Sequence, residues 1–155
     1  MSYLGQIFAF LFSANLLSAA LIPAQLTDVT GQAHPAAGKP MVLAWTGLGC
    51  PMSKLYRPRL EKLAGEFSAK GVRFFLIDSN EHDMAAELKT LAAKFAFPVV
   101  RDEAGQWARL WKVERTTEVL LFDGSGTIRY RGAVDDQYGF KKTDAAGVGA
   151  YRRPE

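Results

Sequence analysis

The chain has 155 residues, 48% of them hydrophobic, which is enough for a single globular domain with a packed core and excludes a disordered or fibrous protein. Its 19 basic and 16 acidic side chains leave a formal charge of +3, and no basic stretch is interleaved with aromatic residues, so binding to nucleic acid is not indicated. The single cysteine excludes an internal disulfide framework. Because His34 and His82 lie far apart in the sequence, no metal or other cofactor is predicted either.

The N-terminal segment differs in composition from the rest of the chain. Residues 1–38 contain no Lys or Arg, and residues 7–24 form an almost unbroken apolar run. Small residues near its end resemble a signal-peptidase site, so residues 1–24 are predicted to be a secretory signal that directs the domain out of the cytoplasm, for example to a periplasm. Two alternatives stay open: an uncleaved membrane anchor, since the run is just long enough to span a bilayer, and an amphipathic helix packed on a cytoplasmic domain.

Residues 25–155 are predicted to form one domain. Residues 26–34 favour a short strand or extended arm that ends in a turn, and residues 35–40 a loop. The apolar run at residues 41–46 indicates the first core strand.

A long helix is predicted after this strand, beginning at Pro51, because proline is favoured at the first helical position. Its apolar residues recur at i, i+3, i+4 and i+7, which gives one buried stripe. The stripe is formed by Leu60, Leu63, Ala64 and Phe67. Pro58 is expected to interrupt the helix, because it lacks an N–H group and its ring collides with the preceding turn. Gly71 is expected to end it.

The middle of the chain predicts parallel β-α-β units. Residues 72–78 are too apolar for a one-sided sheet and indicate a central strand covered on both faces. Residues 79–83 are expected to cap a second helix, and residues 97–100 to form the next strand. The apolar face of that helix is predicted to contain Met84, Leu88, Leu91, Ala92 and Phe95.

The last predicted elements are a short helix and a hairpin. Residues 105–112 favour a helix whose inward side chains are Trp107, Leu110 and Trp111. Residues 118–123 and 127–131 favour two strands joined by a tight glycine turn. Beyond them, residues 135–139 are expected to be a polar loop, and residues 147–155 show no usable periodicity.

Cys50 is the main candidate for chemistry. It lies between Gly49 and Pro51, where the strand at residues 41–46 meets the long helix. The unpaired N–H groups and positive dipole end of a helix stabilise an anion, so this thiol is expected to ionise more easily than a free cysteine, whose pKa is about 8.5. The thiolate is the nucleophilic form. The alternative is a buried, inert cysteine that acts as a small hydrophobic side chain.

These features resemble the thioredoxin-like redoxins, the group that includes the alkyl hydroperoxide reductase and thiol-specific antioxidant proteins. In such domains a reactive cysteine precedes a helix, a second cysteine follows three places later, and a kinking proline follows eight places after the first. Cys50 and Pro58 match two of these marks, whereas Ser53 takes the place of the second cysteine. The resemblance covers residues 26–138 and implies a three-layer α/β fold, with helices on both faces of a mixed central sheet. Relatives continue into a final helix, so the chain is interpreted as shortened or as a fragment.

The resemblance also implies which residues support the site. Ser53 cannot resolve a mixed disulfide, but its hydroxyl is placed to donate a hydrogen bond to the Cys50 thiolate. Thr117 occupies the position of the family's cis-proline, and Arg115 lies near the position of the arginine that stabilises the thiolate in peroxiredoxins. Thr46 lies four residues before Cys50, whereas the peroxiredoxin threonine lies three residues before the cysteine.

Two functions are compatible with these residues. The first is a thiol oxidoreductase in which Cys50 attacks a disulfide or a hydroperoxide, as in antioxidant redoxins, and a thiol from another protein or a small molecule restores it. The second is a protein-binding module that has lost catalysis and presents the groove around Thr117 to a partner protein.

Overall fold

The computed structural model describes residues 22–135 and the backbone of residues 138–143 and 147–152. Residues 1–21, most of the predicted signal or anchor, lie outside this range. The described strands are β1 (Gln25–Thr27), β2 (Ala33–Pro35), β3 (Met41–Thr46), β4 (Arg73–Asp78), β5 (Val99–Arg101), β6 (Glu118–Phe122), β7 (Ile128–Ala133), β8 (Tyr138–Thr143) and β9 (Gly147–Arg152). The helices are α1 (Pro51–Ser68), α2 (Ala85–Ala92) and α3 (Gln106–Leu110). None of these helices has both the length and the hydropathy that crossing a bilayer requires.

A five-stranded mixed sheet, in the order β5-β4-β3-β6-β7, forms the middle of the domain. Strand β3 pairs in parallel with β4, which places Thr46 opposite Asp78, and β4 pairs in parallel with β5. Strand β6 runs antiparallel to both β3 and β7. Because β6 is antiparallel, it begins at the edge of the sheet where β3 ends. The segment before β6 is therefore brought to the segment after β3, which contains Cys50.

Side chains alternate between two hydrophobic layers, one on each face of the sheet. Helix α3 and the β1–β2 hairpin cover the face that carries Leu43 and Trp45, whereas α1 and α2 cover the face that carries Ala44 and Leu76. The predicted three-layer α/β architecture is confirmed.

The β1–β2 hairpin confirms the predicted arm at residues 26–34. Asp28 organises its turn, because one carboxylate oxygen accepts the N–H groups of Thr30 at 2.8 Å and Gln32 at 3.1 Å. The other oxygen lies 2.7 Å from Nε2 of His34. His34 therefore has a structural partner within its own hairpin.

Helix α1 continues through Pro58, so the prediction that this proline interrupts the helix is wrong. Pro58 cannot donate to the carbonyl of Lys54, but both residues are exposed. Water can therefore bind that carbonyl, which lowers the cost of the missing hydrogen bond. The predicted stripe is confirmed, with Leu60 and Ala64 buried and Leu63 and Phe67 partly buried.

Two predicted inward side chains are exposed instead. Met84 is the N-cap of α2 and is 64% exposed, because it precedes the first turn, while Leu88 and Leu91 form the buried face. Residues 79–83 do not cap this helix. Leu110 is 46% exposed, since α3 packs through Trp107, Ala108 and Trp111, which turns its buried face away from Leu110.

A further correction concerns the C-terminal part of the chain, where residues 138–143 and 147–152 form the antiparallel strand pair β8–β9. The prediction of a polar loop at residues 135–139 is wrong from Tyr138 onward. The two strands pair only with each other and contain several glycines, which weaken the alternating pattern by which a strand is detected. No helix occurs among the described residues after β7.

Candidate functional site

The site is built at the corner between β3 and α1. Cys50 is the N-cap of α1 and has extended backbone angles, φ −74° and ψ 118°, and Pro51 takes the first helical position, where its missing N–H costs nothing. The N–H of Cys50 donates to the carbonyl of Gly47 at 3.3 Å, and its own carbonyl accepts the N–H of Lys54 at 3.1 Å. The sulfur thus stands at the amide end of a helix of 18 residues.

Cys50 is half-buried, and its Sγ lies 3.0 Å from the hydroxyl oxygen of Thr116, in the segment before β6. The pKa of the Cys50 thiol is lowered from its ordinary value. Burial has the largest single influence and opposes ionisation, but it is outweighed by hydrogen bonds from the Thr116 hydroxyl, from the N–H and hydroxyl of Ser53, and from the N–H of Met52. The surroundings of the sulfur therefore favour the thiolate.

Three side chains hold the turn that leads to Cys50. Ser53 is buried and its hydroxyl oxygen accepts the N–H of Gly47 at 3.3 Å. Arg57 donates from Nη2 to the carbonyl of Gly47 at 3.3 Å, and Oδ2 of Asp83 accepts the N–H of Leu48 at 2.7 Å. These bonds join the turn to α1 and to the loop before α2, so the position of the sulfur depends on both.

Asp83 and its neighbour Asp78 form a buried acidic pair, 8% and 0% exposed. Burial, followed by the hydrogen bond to Asp83 and the charge of Asp83, raises the pKa of Asp78 to about 7. Asp83 accepts an N–H on each oxygen, from Leu48 and from the side chain of Asn80 at 2.8 Å. Asp78 is therefore the residue of this corner whose protonated form is favoured by its surroundings.

Arg57 is the cation of this corner. Burial lowers the pKa of its guanidinium, while the negative charges of Cys50, Asp78 and Asp83 act in the opposite direction. An arginine keeps its proton under such conditions, so Arg57 provides a fixed positive charge at the carbonyl of Gly47, in the turn that leads to Cys50.

Thr117 follows the threonine that contacts the sulfur and has a φ of 69°, an unusual value for a β-branched residue. Its N–H donates to the carbonyl of Trp45 at 2.8 Å. This bond fixes the segment before β6 against the end of β3. No cis peptide bond occurs among the described residues, and this includes the bond before Thr117, the residue predicted to take the place of the family's cis-proline.

The other predicted site residues have different surroundings. Arg115 is exposed and lines a cleft with Lys112 and Arg131, and within the described ranges it forms no hydrogen bond or ion pair. Thr46 is buried, and its hydroxyl lacks a hydrogen-bond partner in the described part of the chain. Gly49 is exposed. Across the same part of the chain, no cluster of His, Cys, Asp or Glu could hold a metal ion.

Four residues of the corner escaped the sequence analysis: Arg57, Asp78, Asp83 and Thr116. Asp78 was included only as the end of a strand and Asp83 only as part of a helix cap. A local signal existed for Arg57, which lies seven residues after Cys50 and hence two turns along the same helix face. Thr116 lies 66 residues from Cys50 and had no local signal.

A family model and a curated relative both match the sequence of this chain. The redoxin family model matches residues 14–148. Thiol-disulfide oxidoreductase ResA from Halalkalibacterium halodurans is 28% identical over 106 residues, which make up 66% of this chain and 60% of the relative. This chain therefore matches about 60% of the length of that curated relative.

Solved structures show the same architecture. An uncharacterized conserved protein from Geobacillus kaustophilus has a TM-score of 0.70 and 25% identity, covering 85% of this chain and 75% of its own. A secreted disulfide oxidoreductase from Mycobacterium tuberculosis, homologous to Escherichia coli DsbE, has a TM-score of 0.57 and 21% identity, covering 67% and 78% respectively. The likeness to the second structure concerns the fold, and together these comparisons confirm the thioredoxin-like fold.

Replacing Thr116 with valine removes the hydroxyl that contacts Sγ and keeps the shape of the side chain. A hydrogen bond to a charged group contributes about 1.5 kcal/mol or more, which corresponds to a roughly tenfold change in equilibrium. We expect Cys50 to react about tenfold more slowly with iodoacetamide at pH values below its titration midpoint, and the midpoint to move to higher pH. Thr90→Val, on the exposed face of α2, is the control. An unchanged pH profile in Thr116→Val would contradict the assigned contact.

Replacing Thr117 with proline tests whether the family's proline fits here. Proline requires a φ near −65° and has no N–H, whereas Thr117 has a positive φ and donates to Trp45. We expect Thr117→Pro to lower the free energy of unfolding by about 3 kcal/mol. Thr117→Gly, which tolerates positive φ, should stay close to the wild type in denaturant titrations. Equal stability of the proline variant and the wild type would show that this segment adapts to proline.

Proposed function

Because this chain belongs to the redoxin family, we propose that it is a thiol-disulfide oxidoreductase whose only nucleophile is Cys50. The observation that carries the proposal is the state of the sulfur. Cys50 is half-buried at the amide end of α1, its sulfur is hydrogen-bonded to Thr116, and the pKa of the thiol is lowered. A thiolate that is both stabilised and reachable is the reactive form in this chemistry. The match to ResA, a thiol-disulfide oxidoreductase, supports the same reaction class.

The reaction begins when the Cys50 thiolate attacks one sulfur of a disulfide R–S–S–R′. The Cys50–S–S–R bond forms, the original S–S bond breaks, and R′S⁻ leaves with the electron pair. A second thiolate then attacks the sulfur of R in the mixed disulfide, forms a new disulfide with R and releases the Cys50 thiolate. The two steps return the protein to its starting state and oxidise the external thiol.

The second thiol must come from another molecule. Cys50 is the only cysteine in the sequence, and the place of a resolving cysteine is taken by Ser53. Ser53 is 3% exposed and its hydroxyl is engaged with Gly47 and with the Cys50 sulfur. We therefore propose that Ser53 stabilises the thiolate and that a protein thiol or a small thiol is the reductant.

Hydroperoxides are a second substrate class for the same sulfur. The thiolate would attack the outer oxygen, the O–O bond would break, and the alkoxide would take a proton and leave as an alcohol, with Cys50 becoming a sulfenic acid. One external thiol then forms a mixed disulfide and releases water, and a second restores the thiolate. In peroxiredoxins an arginine stabilises the thiolate, and Arg115 lies near that arginine's position in the sequence. Here Arg115 lines the neighbouring cleft. We therefore propose disulfides as the principal substrates.

A protein-binding module without catalysis is the other candidate function. Two observations favour it: a serine replaces the second cysteine, and the segment at Thr117 has a positive φ and no proline. A partner would then bind at the cleft lined by Arg115 and Thr117 without exchange of sulfur bonds.

Turnover separates the two functions. We expect the wild-type protein to accelerate reduction of a mixed disulfide by glutathione, followed through glutathione reductase and NADPH. Cys50→Ser should return the rate to that of the uncatalysed reaction, because no other residue can form the mixed disulfide. Ser68→Ala, at the exposed end of α1, is the control for a small change in the same helix away from the site, and it should retain the wild-type rate. Identical rates for wild type and Cys50→Ser would contradict catalysis and leave the binding module.

We further propose that the protein is exported. The apolar run at residues 7–24 and the likeness to a secreted protein from M. tuberculosis support this location. In cell fractionation, we expect the full chain outside the cytosol or at the membrane, whereas a variant without residues 1–24 should remain in the cytosol. Full-length protein recovered only from the cytosol, with Met1 retained, would contradict export.

A further inference from the structure

A cleft of about 590 Å³ adjoins the segment that contacts the sulfur of Cys50. It is lined by residues between α3 and β6, including Lys112, Arg115 and Thr117, and by the end of β7. Thr117 directly follows Thr116, whose hydroxyl oxygen lies 3.0 Å from Sγ of Cys50. A group attached to this sulfur therefore has the cleft within reach, and the volume is typical of pockets that hold small molecules.

One cation of the cleft is fully occupied by partners within the fold. Arg131 donates from Nε to Oε1 of Glu118 at 2.7 Å, from Nη1 to the carbonyl of Trp111 at 2.8 Å, and from Nη2 to the carbonyl of Lys112. Glu118 is 9% exposed, and its other oxygen accepts the N–H of Glu114 at 3.1 Å. The Arg131–Glu118 pair therefore holds the wall of the cleft together and presents no net charge to a ligand.

The other charged side chains of the cleft are free to meet a ligand. Lys112, Glu114 and Arg115 are exposed, and within residues 22–135 their side chains form no hydrogen bond or ion pair. No internal contact has to break when they bind a ligand. Because two of these groups are cations and one is a carboxylate, the free charge of the cleft is positive, which favours an anionic ligand.

We propose that the cleft selects the half of the disulfide that becomes attached to Cys50, and that this half is a small thiol carrying carboxylates, with Lys112 and Arg115 determining the specificity. The inference rests on the proposed function in that Cys50 forms the mixed disulfide, and it adds the chemical class of the attached group. Carboxylates suit both cations: a guanidinium binds one through two parallel N–H···O bonds, and an ammonium binds one as a point charge.

The selection acts on the first step of the exchange. The Cys50 thiolate attacks the sulfur of the group R, the Cys50–S–S–R bond forms, and R′S⁻ leaves with the electron pair. Lys112 and Arg115 attract the carboxylates of R during this step, whereas the carboxylate of Glu114 repels them. Exposed charges contribute little individually and are screened by salt, so the effect on the rate is a few-fold and increases at low ionic strength.

The test compares attack by Cys50 on two symmetric disulfides, the dianion dithiodipropionate and the dication cystamine, followed through the loss of thiolate absorbance. The ratio of the two rate constants cancels any change in the reactivity of the sulfur itself. We expect Arg115→Gln and Lys112→Gln each to lower the dianion-to-dication ratio about threefold, and Glu114→Gln to raise it by a similar factor. Lys89→Gln, an exposed cation on α2, is the control and should keep the wild-type ratio.

The signs of these changes decide the inference. A ratio that is the same in the wild type, Arg115→Gln and Glu114→Gln would overturn it. A change in Arg115→Gln that Lys89→Gln reproduces would overturn it as well, because the effect would then come from the net charge of the protein and not from the cleft.

A second measurement does not depend on the chemistry of the sulfur. Thiodipropionate, a thioether that cannot exchange, is titrated into Cys50→Ser and followed through amide chemical shifts. We expect saturating shifts at residues 112–117, with an affinity that Arg115→Gln lowers about threefold. If Cys50 attacks neither disulfide, the proposed function fails, and this titration alone decides the inference: shifts that are absent, or unaffected by Arg115→Gln, overturn it. Turnover with a rate ratio indifferent to Arg115 and Glu114 refutes the inference and leaves the proposed function standing.

Discussion

One backbone hydrogen bond joins the two segments from which the site is made. The N–H of Thr117 donates to the carbonyl of Trp45 at 2.8 Å, and this bond places Thr116 beside the sulfur of Cys50. Thr117 has a positive φ, a conformation that costs a β-branched residue about 1–2 kcal/mol. The surrounding sheet stabilises this conformation because β6 must begin at the same edge where β3 ends. The chemistry of the sulfur therefore depends on the antiparallel pairing in the middle of the sheet.

The sequence predicted the features that depend on local pattern. The buried strands at 41–46 and 72–78 and the helical stripe with Leu60 and Ala64 follow from hydrophobic period alone, and Cys50 could be placed at a helix start because Pro51 follows it. Thr116 and Asp83 could not be assigned, since their partners lie 66 and 35 residues away. A hydrogen bond between distant segments does not change the hydrophobic pattern of either segment, so the sequence does not predict it.

The errors have a shared physical origin as well. Residues 79–83 have the polar composition of a helix cap, yet Asp83 satisfies the amide of Leu48 in place of an amide of α2. The β8–β9 strand pair is held by pairing between two glycine-containing strands outside the main sheet, so hydrophobic alternation gave little signal. In each case the backbone groups were satisfied by a partner that composition does not reveal.

The presence of a single cysteine and a buried Ser53 has a consequence for the oxidised form that the proposed reaction would produce. A redoxin with two cysteines closes an internal disulfide, which releases two protons and two electrons and adds no other molecule to the protein. Here a disulfide at Cys50 can only be a mixed disulfide, in which a second molecule is covalently bound to the protein. Oxidised and reduced molecules would then differ in mass, charge and surface, and the identity of the bound molecule would show which thiol the protein last encountered.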